Sequence, residues 1–322
     1  MRAIGIKDPG GPEKLYIGDV PRPEPKDGEV LINVHATALN RADLLQSEIL
    51  GLVSAELLGW EIVMALLSGG GYVQYAAVPE ELLMPVPMHL TLCEAAAIPE
   101  AWLTAYQLLH FIGQVKPGEM VLIHAGVSGV SMAAIQLACL SCPVPIVTAG
   151  SLEKLKMALQ LHAAAGFNYK VVDFSEKILQ FTEGKGADII LDCIGGTSWE
   201  KTVHSFAMDG RWVLYGTMGG RPVEGDLLGK LLFKRGHILS TELVRSFSKQ
   251  VLPHFQSRGL LSTGYSTWMT FLKHTDTEAN KNIGKIVIKT SESLYMSIQC
   301  LQVVFNPLQI LQVYTFGVNL VL

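Results

Sequence analysis

"LIHAGVSGVSMAAIQLA" occupies residues 122–138 and decides the fold. A short apolar strand, a glycine turn and an alanine-rich helical run follow one another in the order of a phosphate-binding crossover. The glycines are Gly126 and Gly129, and Ser131 stands where a third small contact is wanted, so the pattern is G-x-x-G-x-S. Alone, that spacing is common and equally suits an ordinary tight strand-to-helix turn. Its context sharpens it, because backbone N–H groups and the positive end of the helix can face a pyrophosphate there.

Working outward, the chain alternates strand-like and helix-like segments. "MVLIH", "VPIVTA", "AGFNY", "ADIILDCIG" and "RWVLYG" are separated by "VSMAAIQLACL", "SLEKLKMALQLHAA", "EKILQFTEG" and "SWEKTVHSFA", and "DLLGKLLFKR" follows the last strand. Alternation of this kind calls for parallel strands, since a parallel return needs a crossover of about a dozen residues. The reading is α/β, a doubly wound parallel sheet. Ligands bind such sheets at the carboxyl ends of the strands, which places Ala125, Thr148, Asp192 and Tyr215 near one crevice. A helix is expected over "AWLTAYQLLHFIG", with Leu103, Tyr106, Leu108 and Leu109 on its apolar side and Gly113 able to end it. Residues 1 to about 97 hold short apolar runs such as "EVLINVHATAL" between Pro and Gly and read as β-rich.

The second strand of the sheet selects the dinucleotide. A carboxylate at its end would hold the ribose hydroxyls of NAD, but the sequence there is "TAGSLEK", with Thr148, Gly150, Ser151 and Lys154. Ser151 can donate a hydrogen bond and Lys154 can supply a cation to a 2′-phosphate, joined by Tyr169 at the end of the third strand. This favours NADPH. Ser151 also suits a helix cap with Lys154 as a solvated first-turn residue, a role compatible with phosphate binding. The glycines of "LYGTMGG", residues 214–220, suggest close backbone approach where a nicotinamide would lie, or a plain glycine-rich turn.

Composition narrows the functions. The chain has 322 residues, 49% of them hydrophobic, and a formal net charge of −4. No basic field points to nucleic acid. Five cysteines without a repeating framework fit a reduced, cytoplasmic protein. Cys139 and Cys142 form a lone C-x-x-C and read as apolar packing residues. His110 and His124, in or beside apolar elements, read as satisfied core residues. Residues 293–322 carry no charge, yet glutamines, asparagines and a proline interrupt them, so a membrane anchor is not the expectation.

"ALNRAD", "AAAIPEAWLTAYQLL", "VLIHAGVSGV", "TAGSLEKL", "LDCIGG", "GRWVLYGTMGG" and "NKNIGKIV" occur in that order. With them the chain closely resembles the zinc-free quinone oxidoreductases of the medium-chain dehydrogenase/reductase superfamily. The resemblance implies a GroES-like β-rich catalytic domain from residues 1–98 and 241–292, a Rossmann NADPH-binding domain over 99–240, and an atypical apolar tail at 293–322. It implies hydride transfer from NADPH to a quinone without metal, and a homodimer paired through the Rossmann sheets. It carries cofactor contact onto Asn40, Thr104, Ala125, Gly126, Val127, Ser128, Gly129, Val130, Gly150, Ser151, Lys154, Tyr169, Ile194 and Gly216. Asn40 is also the candidate residue of the substrate cleft, and no catalytic side chain is assigned.

The sequence departs from its family in three places. Between "NRADLLQ" and "MALLSGGG" only "SEILGLVSAELLGWEIV" remains, where the family has a longer segment with a cleft-facing tyrosine, so the catalytic domain is expected to be incomplete. Residues 251–277 are shorter and divergent, and the uncharged tail follows. The alternative function is therefore a catalytically impaired isoform that binds NADPH or dimerises through its Rossmann domain.

Overall fold

The computed structural model describes residues 1–8, 14–40, 52–57, 62–67, 69–239 and 285–289. Arg41–Asp43 of the "ALNRAD" motif, residues 251–277 and the tail at 293–322 lie outside them. The chain divides into one unit of Met1–Glu100 with Ser246–Leu322 and a second of Ala101–Arg245.

The first unit is antiparallel. Strands β1 (Arg2–Ile6) and β2 (Leu15–Asp19) pair with one another. The long strand β3 (Glu29–Leu39) is followed by β4 (Leu52–Leu57), β5 (Ile62–Leu66), β6 (Tyr75–Pro79) and β7 (Leu83–Pro85). Strand β3 pairs β4, which pairs β5, which pairs β7, while β6 and a strand from the far end of the chain both pair β3. Strand β4 arises inside residues 47–63, where the sequence leads one to expect an incomplete domain, and its backbone pairs β3 and β5. Alternating residues of β3 and β6 bury Ile32, Val34, Ala76 and Val78, as the period of a half-covered sheet requires. Helix α1 (Leu92–Ala96) opens with a capping box, Thr91 and Glu94 each bonding the other's backbone amide. It packs Ala96 against Ala36 and Ala38.

Helix α2 (Pro99–Tyr106) leads into the second unit and widens into a π-helical stretch, Gln107–Ile112. Leu103, Tyr106, Leu108 and Leu109 are buried as the period predicts. Gly113 follows, but by close packing and not by left-handed backbone: a Cβ there would lie 2.7 Å from the Leu108 carbonyl, and Gln114 takes the positive φ of 45°.

The second unit runs β8 (Met120–Ile123), α3 (Gly129–Ser141), β9 (Val144–Ala149), α4 (Leu152–Gln160), β10 (Ala165–Asn168), α5 (Phe174–Phe181), β11 (Ala187–Asp192), α6 (Trp199–His204), β12 (Phe206–Leu214), α7 (Leu227–Lys234) and β13 (His237–Leu239). A last strand, β14 (Ile286–Lys289), belongs to the first unit and pairs β3. The six strands β8 to β13 are parallel in the order β10-β9-β8-β11-β12-β13. The sequence order therefore reverses between β8 and β11, the switch point at which such sheets hold ligands. Strands β8 and β11 are buried on both faces, with Val121, Leu122, Ile123, Ile189, Ile190 and Leu191 fully covered. Leu122, Ile190, Phe206 and Trp212 pack against Phe174, Ile178, Trp199 and Val203.

At the opposite edge of the sheet the Arg211 guanidinium bonds Glu119 and the carbonyls of Gly113 and Gln114, tying β12 to the start of β8. Cys139 and Cys142 correct the sequence reading: both are exposed, because they sit in the last turn and at the left-handed cap of α3. The Cys139 thiol donates to the His162 carbonyl, and burial of its sulfur raises its pKa.

Helix α5 is capped by Asp173, which accepts from the Ser175 amide and hydroxyl and pairs with Lys201 of α6. The Ser175 bonds, ahead of the Lys201 contact, hold its carboxyl down at about 2. Asp173→Ala should cost about 0.5–2 kcal/mol in urea unfolding near neutral pH. The wild-type advantage is complete above the ordinary carboxylate pKa and is lost as pH falls from about 4 through about 2. An advantage undiminished between neutral pH and pH 2 would remove the capping account.

Candidate nucleotide-binding site

The site is assembled at the carboxyl ends of β8 to β12. After Ile123 the chain turns through Ala125, whose φ of 53° puts a non-glycine residue in the left-handed region. Gly126 follows, pressed against the neighbouring strand. Its amide donates to the Thr148 carbonyl at 2.9 Å, and a Cβ would fall 2.8 Å from that of Val147. This glycine is required by its contact with β9. Val127 is buried, and Ser128 caps α3 by accepting from the Ser131 amide. The amides of Gly129 and Val130, in the first turn, have no intrahelical acceptor and stand at the helix mouth.

Ser131 fills its place without disorder. It is fully buried, and its hydroxyl donates to the His124 carbonyl at 3.0 Å, bonding the first turn of α3 to the end of β8. The His124 ring lies behind the loop, with Nδ1 2.8 Å from Thr148 Oγ1 and Nε2 3.2 Å from Thr202 Oγ1. Burial lowers its pKa, with Asp192 opposing the shift, so the ring is a neutral strut between β8, β9 and α6.

One strand further, Ser151 caps α4 by accepting from the Lys154 amide at 3.3 Å, and its hydroxyl proton remains available to a second acceptor. Tyr169 and Lys170, just past β10, reach back over Gly150. A Cβ at that position would meet Tyr169 Oη at 2.8 Å and Lys170 Cε at 3.2 Å. Desolvation lowers the pKa of Lys154, the Lys170 charge adds to that, and Glu153 opposes both. Ser151, Lys154, Tyr169 and Lys170 thus surround Gly150 with two like charges. Lys170 was not singled out from sequence; the signal was present as the residue after Tyr169, but only the pairing of β10 with β9 brings it to Gly150.

The loops after β11 and β12 are joined to one another. Asp192 is fully buried, accepting from the amides of Ile194 (2.6 Å) and Gly195 (3.2 Å) and from Trp212 Nε1 (2.9 Å). Met218 donates to the Cys193 carbonyl, Gly219 to Ile194 and Gly196 to Gly220. The glycines of residues 214–220 therefore serve approach between two protein loops: a Cβ on Gly216 would lie 3.1 Å from the Cys193 carbonyl. Burial, followed by Cys193, raises the Tyr215 phenol well above its ordinary value.

The loop 125–130, Gly150, Ser151, Lys154, Tyr169, Ile194 and Gly216 thus share one edge of one sheet. Thr104 lies on α2, partly exposed. Asn40 belongs to the first unit, where it is 3% exposed and bonds Lys285. Among the described residues, no group of three or more His, Cys, Asp or Glu side chains is placed to hold a metal ion. No helix there is long and apolar enough to cross a membrane.

A parallel sheet of this order, with a glycine turn opening α3 at its switch point, defines a Rossmann-type fold. Residues 129–257 match the family described as zinc-binding dehydrogenase. Human quinone oxidoreductase is 32% identical over 265 residues, covering 72% of this chain and 80% of that protein. A solved structure described as NAD-dependent alcohol dehydrogenase superposes with a TM-score of 0.83 at 29% identity, over 90% of this chain and all of that one. A mycobacterial protein solved in complex with NADPH superposes with a TM-score of 0.81 at 25% identity, over the same shares. The chain belongs to the quinone oxidoreductases of the medium-chain dehydrogenase/reductase superfamily.

Proposed function

We propose that this protein is a cytosolic, zinc-independent NADPH:quinone oxidoreductase. The observation that carries the cofactor choice is the pair Lys154, in the first turn of α4, and Lys170, just past β10, beside Ser151 and with no carboxylate closing β9. Two cations brought together against their mutual repulsion fit a 2′-phosphate. The first amides of α3 would take the pyrophosphate, and the joined loops carrying Ile194 and Gly216 would hold the nicotinamide end. Thr104 and Asn40 complete the proposed contacts.

When bound, NADPH supplies the hydride that reduces a quinone, and the chain's own residues contribute binding and orientation. A quinone is already a strong hydride acceptor whose oxygens can take protons from water, so no metal is needed to polarise it. The donor set supports that reading, because the Lys285 ammonium lies against the Asn40 carboxamide oxygen and its positive charge disfavours a metal cation there. Steady-state oxidation of NADPH by an ortho-quinone tests the proposal. Tight NADPH binding without turnover would sink it in favour of a nucleotide-binding isoform.

A homodimer through the Rossmann sheets is part of the same reading. Strand β13 ends the sheet order, and Leu228, Leu232 and Phe233 of α7 are each 80% exposed or more. An edge strand beside exposed apolar side chains suits pairing with a second copy. Leu232→Glu should convert the dimer to a monomer in sedimentation velocity with its circular dichroism unchanged; a wild-type chain that sediments as a monomer would refute the pairing.

A further inference from the structure

Lys285 is a buried charge, 8% exposed, outside the nucleotide contacts proposed above. Strand β14 pairs β3 with Val287 opposite Ala38 and Ile286 opposite Leu39, so the register continued by one residue sets Lys285 across from Asn40. The Lys285 ammonium donates to Asn40 Oδ1 and to Glu100 Oε2, the latter in the first turn of α2. The other end of the carboxamide, Nδ2, donates to the Ala38 carbonyl at 3.3 Å, which also accepts from the Tyr72 hydroxyl at 3.3 Å.

A carboxamide has two chemically opposite ends of nearly equal size, and an ammonium group can only donate. Rotating Asn40 by half a turn would set its NH2 group against that ammonium and its oxygen against the Ala38 carbonyl. Both contacts would be lost at a buried position. We propose that Lys285 is a positioning residue, which fixes the direction in which Asn40 presents its amide to the cofactor while Glu100 balances the buried charge. The proposal rests on the reading of Asn40 as a cofactor contact.

The test uses the full chain labelled with 15N-asparagine, thermal unfolding, and fluorescence titration with NADPH. Lys285→Met leaves Glu100 without its cation and should lower Tm; Lys285→Met/Glu100→Leu removes both charges and should recover it. In both, the side-chain amide signal that disappears in Asn40→Ala should shift, and the Kd for NADPH should rise about tenfold. Lys285→Arg should keep the signal near its wild-type place. Adding Asn40→Ala to the double variant should weaken NADPH little further, since the residues act as one unit.

Recovery of NADPH affinity together with Tm in the double variant would overturn the proposal in favour of a structural ion pair. An unmoved Asn40 signal in Lys285→Met would overturn it as well. If Asn40→Ala binds NADPH like the wild type, the cofactor contact itself is wrong, and the shift of the Asn40 signal still decides whether Lys285 orients it.

Discussion

Lys154→Ala is expected to raise the Kd for NADPH roughly 10- to 100-fold while changing that for NADH by less than about threefold. Lys154 sits in the first turn of α4, where Ser151 already takes its backbone amide, so truncating its side chain leaves the helix cap in place. What disappears is one charge-assisted contact to a phosphate that NADH lacks. Lys170 would retain part of the attraction, which is why the loss is bounded. The pH dependence has a definite sign. Desolvation first, and Lys170 second, lower the pKa of Lys154 in the free protein, and a bound phosphate would favour its charged form. NADPH affinity should therefore decline as pH rises through the lowered lysine pKa, and Lys154→Ala should flatten that decline. Isothermal titration with both nucleotides at several pH values measures this; equal losses for NADPH and NADH would remove the 2′-phosphate assignment.

The largest loss of stability is expected at Asp192. Its carboxylate is fully buried and accepts from Trp212 Nε1 and from the amides of Ile194 and Gly195. Asp192→Ala leaves three buried donors without an acceptor and should cost about 3–5 kcal/mol. Asp192→Asn keeps one oxygen for the loop amides and should cost less, because only the Trp212 side then faces another donor. Urea unfolding with an unchanged m-value reads both losses. Nucleotide affinity should fall alongside, since the Ile194 loop is held by the same oxygen. A loss below about 1 kcal/mol for Asp192→Ala would mean that water replaces the carboxylate.

Much of this arrangement was legible in the chain. Strand β3 coincides residue for residue with the run "EVLINVHATAL" and β9 with "VPIVTA", because a run of branched residues between turn formers admits few other conformations. The order of helices and strands after residue 120 followed from periodicity. Strand β13 did not, since three residues with mostly exposed side chains carry no period. Nor did the π-helical turns of residues 107–112, whose apolar spacing matches that of an α-helix locally. The contact between Lys285 and Asn40 spans 245 positions and exists only through the pairing of β14 with β3. Local pattern fixes which edge of the sheet forms the site; it cannot say which distant charge reaches it.

Ser131 bears on how this protein would be engineered for stability. Completing the glycine pattern of the phosphate turn would write glycine at position 131. That change would remove the hydroxyl bonded to the His124 carbonyl, leave a buried acceptor without its partner and add backbone freedom to the first turn of a helix. In this chain glycine should be the weaker choice.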